Sequence, residues 1–239
     1  MAAPLLGDLG NRRLKLDVDG VVETYAWRDP EAHDALAARL SACGARPLLL
    51  ASASPEGLAA LLAGPLVDRS VEQITPDDVP LARLTEGTGT DRLLAALAAV
   101  EICGAPVVVA DCGSAFTLDL VDRDGSFRGG AIGPGLGVAR AALAAACPHL
   151  APPAAEARDG VPADTAAATR AGTLDALAAA LDGLATRFEV LAGLAPGAAP
   201  RLLSGGDAEA LAPLLPAWRR QPDLVLEGLR VLAARRAEG

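Results

Sequence analysis

Three aspartates stand where chemistry could be done. Asp111 ends an apolar run, Val107 to Ala110, and is followed by the small-residue turn Cys112-Gly113-Ser114-Ala115. An acid at the end of a buried strand, with a tight turn directly after it, suits a phosphate and its metal. The turn's N–H groups face phosphate oxygens, and the carboxylate holds a cation directly or through water. Asp8 repeats the pattern near the N-terminus, as Asp8-Leu9-Gly10-Asn11. The third acid, Asp91, follows Gly87-Thr88-Gly89-Thr90 and opens an Ala/Leu-rich helix with Arg92 beside it. A helix N-terminus favours a bound carboxylate, Arg92 could grip it bidentately, and Asp91 is then free to accept a proton. Each stretch also has a plainer reading: a hairpin whose Asp caps a turn, or a helix capped by Thr90 or Asp91.

Two more sites belong to this set. Lys15 is the only lysine in a chain rich in arginine, and it falls on the strand after the first turn, where a compact point charge could meet ATP. Ser204-Gly205-Gly206-Asp207 follows a short apolar strand and precedes a helix, and such a turn lets a flat ring or a phosphate approach the backbone closely.

The elements that must carry these residues form a repeat. Asp-x-Gly, strand, Asp-Gly turn, strand occurs from Asp8 (turn at Asp19-Gly20) and again from Asp111 (turn at Asp124-Gly125). Repetition at this distance suggests two similar domains facing each other. Between the repeats, Asp29-Pro30 starts a helix that runs to about Cys43. Pro47–Ser52 is a buried strand, Pro55–Ala63 a short helix, and Leu66–Ile74 holds another strand. Beyond the second repeat come a helix over Leu136–Ala146, a loop over Ala154–Pro162, and a long helix over Ala166–Leu184 capped by Asp164-Thr165. A strand at Arg201–Leu203 follows, then a helix to about Leu215 and a last helix over Glu227–Arg236.

The bulk numbers narrow the class. At 239 residues the chain can bury one large core or two cores of about 100–120 residues each. Aromatic residues make up 3%, so Leu, Val and Ala must fill that core. A net charge of -9 argues against nonspecific nucleic-acid binding, which needs a basic surface. No apolar run reaches the ~18–20 residues of a membrane span, and no signal peptide is read at the start. Cys43, Cys103, Cys112 and Cys147 lack a CxxC spacing and read as reduced thiols of a cytoplasmic protein.

Taken in order, five segments resemble the type III pantothenate kinases of the actin, hexokinase and acetate-kinase superfamily. Asp8, Gly10, Asn11 and Lys15 match an Asp-x-Gly-Asn-Thr-x-x-Lys signature, with Arg12 in place of the threonine. Gly89, Asp91 and Arg92 match Gly-x-Asp-Arg. Asp111, Gly113, Ala115, Thr117 and Asp119 match Asp-x-Gly-Thr-Ala-x-Thr-x-Asp, with Ser114 for the first threonine. Gly129-Gly130-Ala131-Ile132 and Pro134-Gly135 match Gly-Gly-x-Ile-x-Pro-Gly. Asp164-Thr165 and Gly205-Gly206 match the later segments.

The resemblance implies an α/β fold of two similar actin/ribonuclease-H-like domains, over residues 1–105 and 106–239. Each would be a mixed sheet flanked by helices, with the active site in the cleft between them. It implies ATP-dependent phosphorylation of pantothenate, the first step toward coenzyme A. The alternatives are a kinase for another small hydroxylated metabolite and a non-catalytic or regulatory member of the same fold. By the resemblance Asp91 is the general base, and Gly89, Thr90, Arg92 and Thr165 bind pantothenate with it. Gly10, Asn11, Arg12, Lys15, Ser114, Gly205 and Gly206 contact ATP. Asp8 holds Mg²⁺, and Asp111 lies near a monovalent cation, K⁺ or NH₄⁺. The family is dimeric, so a homodimer is expected.

Overall fold

The computed structural model describes residues 3–150, 152–154 and 160–238. The chain divides into two compact units, Met1–Ile102 with Leu224–Gly239, and Cys103–Asp223.

The first unit is built on a five-stranded sheet. Strands β1 (Leu5–Leu9), β2 (Leu14–Val18) and β3 (Val21–Tyr25) form an antiparallel meander, and β4 (Leu48–Ser52) and β5 (Val71–Gln73) continue it in parallel. The order across the sheet is β3-β2-β1-β4-β5. β1 and β4 are central, and their near-continuous apolar sequences, LLGDL and LLLAS, suit strands covered on both faces. β3 is one edge, and its residues are exposed or half-buried. Asp19 and Gly20 both take positive φ, 55° and 89°, as the two-residue turn between β2 and β3 requires. Asp17 receives the Gly20 N–H at 2.7 Å.

Helix α1 (Pro30–Ala42) starts at Asp29, whose carboxylate accepts the Glu31 N–H, with Pro30 in the first turn. Helix α2 (Pro55–Leu62) is capped in the same way by Ser54. Helix α3 (Thr90–Cys103) buries one continuous stretch from Leu93 to Ala99. Leu5, Leu9, Leu14, Leu16, Trp27, Leu36, Leu48 and Leu61 belong to one core cluster.

The second unit has a sheet of the same plan. Strands β6 (Val107–Cys112), β7 (Ala115–Val121) and β8 (Phe127–Pro134) form the meander, and β9 (Arg201–Ser204) and β10 (Arg219–Arg220) continue it in parallel. The order β10-β9-β6-β7-β8 is that of the first sheet read from the other end, with the same strand directions. The doubled Asp-x-Gly pattern thus reports a doubled sheet. Helix α4 (Leu136–Ala146) follows the meander. Then α5 (Thr165–Arg170), a π-helical turn (Ala171–Asp175) and α6 (Ala176–Leu191) run on without a break. Their core includes Val108, Ala110, Leu118, Leu177, Leu181, Leu203 and Trp218.

Some expectations need correcting. The long helix extends to Leu191 rather than Leu184, with the π turn inside it. The helix after Gly206 is a short α7 (Ala208–Leu211) continued by a 3₁₀ turn containing Pro213, which has no N–H to extend the α pattern. The two-residue β10 was not foreseen. The last helix, α8 (Leu224–Glu238), begins at Leu224 and belongs to the first unit. Its Arg230 binds Asp17 at 2.7 Å, and Arg236 reaches Glu72 at 2.5 Å and Asp78 at 3.0 Å. Gly228 lies against α3, and a Cβ there would stand 2.2 Å from the Leu94 carbonyl oxygen. Of the loop expected over Ala154–Pro162, residues 155–159 lie outside the described residues. All four cysteines are free thiols. Among the described residues no helix is long and apolar enough to cross a membrane.

Candidate active site

In the first unit the β1–β2 connection is a tight turn. The Gly10 N–H donates to the Arg13 carbonyl at 2.9 Å, and Asn11, Arg12 and Arg13 are exposed. Asp8, half-buried, stands one strand position before the last residue of β1. It faces Lys15 of β2 across the antiparallel pair and Ala51 of β4 on the parallel side. Directly paired residues of neighbouring strands present their side chains to one face of a sheet. The signature acid and the single lysine therefore share a face beside the turn. Two side chains from beyond β3 also reach the turn. Trp27 Nε1 donates to the Gly10 carbonyl at 3.1 Å, and Arg28 Nη1 donates to the Asn11 carbonyl at 3.0 Å.

The second candidate segment of this unit is the start of α3. Thr90 is the first helical residue and is buried, so it does not stand at the cap; the Gly89 carbonyl accepts the Leu93 N–H and Gly89 holds that place. The hydroxyls of Thr85 and Thr88 are hydrogen-bonded at 2.6 Å within the loop that precedes the helix. Asp91 folds its carboxylate back over Gly89: a Cβ on residue 89 would lie 2.4 Å from Asp91 Oδ1. A side chain on residue 89 would therefore displace the Asp91 carboxylate from this position. Arg92, the next residue, is half-buried.

In the second unit three turns converge on the end of β6. Asp111 pairs in register with Thr117 of β7 and Ser204 of β9. The turn after it closes by Gly113 N–H to the Ala115 carbonyl at 2.9 Å, and Gly135 N–H donates to the Ser114 carbonyl at 3.0 Å. Gly205 has φ +91°, and a Cβ there would lie 2.5 Å from Asp111 Oδ1 and 2.2 Å from the Cys112 carbonyl oxygen. Both the conformation and the space demand glycine. Asp111, Ser114 and Gly205 are thus gathered at one junction, while Gly206 beside them is exposed. Burial, with Asp111 and Asp207 nearby, pushes the Cys112 thiol up to about 12, so it is neutral at ordinary pH. Thr165 is exposed in the first turn of α5, whose cap is Asp164, accepting the Ala167 N–H at 2.8 Å.

Three residues of these sites were missed in the sequence. Asp207 donates its N–H to the Cys112 carbonyl at 2.9 Å and accepts the Leu136 N–H at 3.2 Å, joining the Gly-Gly turn to the start of α4. The only signal was an acid directly after Gly205-Gly206. Trp27 and Arg28 gave no signal, because their partners are 17 residues away.

Each unit has one carboxylate beside its turn that could serve a cation as an oxygen donor, Asp8 in the first and Asp111 in the second. Among the described residues no three His, Cys, Asp or Glu side chains form a closed cage. A single carboxylate beside such a turn, as at Asp8, fits Mg²⁺, which keeps several waters and takes one or two carboxylates plus substrate phosphates.

Solved structures of low sequence identity share this fold. A Campylobacter jejuni protein described as a Baf family transcriptional activator superposes with a TM-score of 0.72 at 19% identity, over 98% of this chain and 100% of that one. An inorganic polyphosphate/ATP-glucomannokinase from Arthrobacter sp. strain KM superposes with a TM-score of 0.50 at 18% identity, over 99% of this chain and 100% of that one.

Residues 79–187 match the family model of type III pantothenate kinase. The type III pantothenate kinase of Stenotrophomonas maltophilia (strain K279a) is 33% identical over 98% of both chains. That of Thermomicrobium roseum is 39% identical over 59% of this chain and 54% of its own length, and that of Rhodopirellula baltica 39% over 66% and 60%. The chain belongs to the type III pantothenate kinase family.

Proposed function

We propose that this chain transfers the γ-phosphoryl group of ATP to the primary hydroxyl of pantothenate, giving ADP and 4′-phosphopantothenate. The observation that carries this reading is the 33% identity to a type III pantothenate kinase along 98% of both chains. The placement of the acids supports it. Phosphoryl transfer asks a protein for positioning and charge neutralisation more than for covalent help. In this reading Asp91 accepts the proton as the substrate oxygen bonds to phosphorus and the bond to the β-phosphate oxygen breaks. Arg92, Gly89, Thr90 and Thr165 bind pantothenate, with Arg92 on its carboxylate. The N–H groups of Gly10, Asn11 and Arg12, with Lys15 and Ser114, hold the ATP phosphates, and Gly205 and Gly206 let the nucleotide approach their turn. Asp8 would hold Mg²⁺, and Asp111 would lie near a K⁺ or NH₄⁺ ion; when bound, these cations would neutralise phosphate charge. The working form is a homodimer in the cytoplasm.

A coupled ADP-release assay tests the reading. Purified protein receives ATP, Mg²⁺ and K⁺, with and without pantothenate, and the product is identified by mass. Pantothenate-dependent ADP release with 4′-phosphopantothenate formed is the expected result. Folded protein that binds nucleotide and leaves pantothenate unchanged would refute it.

A further inference from the structure

We propose that Trp27 and Arg28 are positioning residues for the nucleotide phosphates, acting by aiming the backbone of the Gly10–Arg13 turn. This rests on the reading of that turn as an ATP site. Trp27 holds the Gly10 carbonyl and Arg28 the Asn11 carbonyl, at 3.1 and 3.0 Å. In a planar trans peptide the C=O and the N–H point in opposite directions. The Asn11 N–H shares its plane with the Gly10 carbonyl, and the Arg12 N–H shares its plane with the Asn11 carbonyl. Fixing both carbonyls therefore turns both N–H groups away from Trp27 and Arg28. Two adjacent donors aimed one way make an anion cradle.

The anchor points are themselves fixed. Trp27 is 3% exposed, and its ring lies so close to α2 that a Cβ on Gly57 would stand 2.9 Å from Cε2. The Trp27 carbonyl accepts from His33 Nε2 of α1 at 2.5 Å. The Arg28 guanidinium lies 4.1 Å over the Trp27 ring and pairs with Glu56 at 2.7 Å. Helices α1 and α2 thus hold the turn through two side chains. A glycine-containing loop held this way gives up less freedom when a ligand binds. The donor at position 12 is backbone, so it does not depend on Arg12 standing where the signature has threonine.

The test uses the full chain. Trp27→Phe keeps an aromatic ring and removes the donor. Arg28→Met keeps a stem on the ring and removes the guanidinium; the Arg28 side chain is 57% exposed, so the fold is not at risk. Binding of Mg²⁺ with a non-hydrolysable ATP analogue is measured by calorimetry, and KM for each substrate by steady-state kinetics. Each variant should bind the analogue about tenfold more weakly, the scale of losing one directed hydrogen bond. KM for ATP should rise in step while KM for pantothenate stays put, and Arg28→Lys should recover most of the loss. Unchanged affinity in folded Trp27→Phe overturns the proposal, including the case where Arg28→Met alone weakens binding, since Arg28 would then act as a charge. The calorimetry needs no acceptor. If the wild type binds the analogue but does not phosphorylate pantothenate, the substrate reading falls and the variants still decide this one. A wild type that binds no nucleotide removes both.

Discussion

Asp91 is the second residue of α3, and its carboxylate occupies the space that a side chain on residue 89 would fill. Two variants separate what the acid does from how it is placed. On the proposed reading Asp91→Asn removes the base while keeping size and shape, so turnover should fall by about 10²–10⁴-fold with an unchanged melting temperature. Gly89→Ala leaves the acid in place chemically and pushes it aside. Its turnover should fall by up to about 10²-fold, the scale of a one-ångström misplacement, with ATP affinity kept. Equal turnover of Gly89→Ala and wild type would show that the observed Asp91 position is not the working one. At this scale the placement of residues was legible where structure is local. Asp8 and Asp111 each sit at a strand end with their turn directly after them, so spacing alone exposed them. Asp207, Trp27 and Arg28 act on backbone groups far away in sequence, and no periodicity marks such a contact.

The elements were legible for a related reason. Capping pairs such as Asp29-Pro30 and turn pairs such as Asp19-Gly20 and Asp124-Gly125 encode boundaries within a few residues. What tertiary contact decides was not readable. β10 is two residues long and exists because β9 offers it an edge. The packing of α8 on α3 depends on one glycine. Alanine is normally favoured over glycine in a helix by about 1 kcal/mol. At Gly228 the sign should reverse, because the Cβ would meet the Leu94 backbone at 2.2 Å. Gly228→Ala should lower stability by about 1–3 kcal/mol in chemical denaturation; a stabilised variant would mean the helices stand further apart. The other end of the helix gives a pH signature. Hydrogen bonds from Thr75 hold the Asp78 carboxyl below its ordinary value of 3.8, and Arg236 on α8 adds to this. A carboxylate lowered on folding contributes stability above its unfolded value and loses it as pH falls through the lower, folded one. Asp78→Asn should therefore flatten the acid limb of the stability profile below about pH 4 and lessen the difference between low and neutral pH.

On the scale of the whole chain, the doubled sheet was foreseen and the ownership of the last helix was not. The second sheet repeats the order and directions of the first, as the twice-used Asp-x-Gly pattern implied. A linear reading divides a chain at one point, and only contacts show that Leu224–Gly239 returns to the first unit. α8 buries Leu224, Val225, Leu226, Leu229 and Leu232. At ~1.5–3 kcal/mol for each buried side chain, their loss rivals the ~5–15 kcal/mol that keeps a domain folded. A chain ending at Asp223 should lose protection from proteolysis in residues 3–102 first, as peptide mapping would show. Uniform resistance across that truncated chain would mean that α8 is dispensable.

The same feature orders events at the ribosome. Cys103–Asp223 is an unbroken stretch, and every residue it needs has been made before Leu224 is added. Residues 3–102 leave the exit tunnel earlier, yet they wait for the closing helix through the synthesis of their neighbour. The half of the protein that is born first is the half that matures last, and chaperones that guard exposed apolar strands have most to do there.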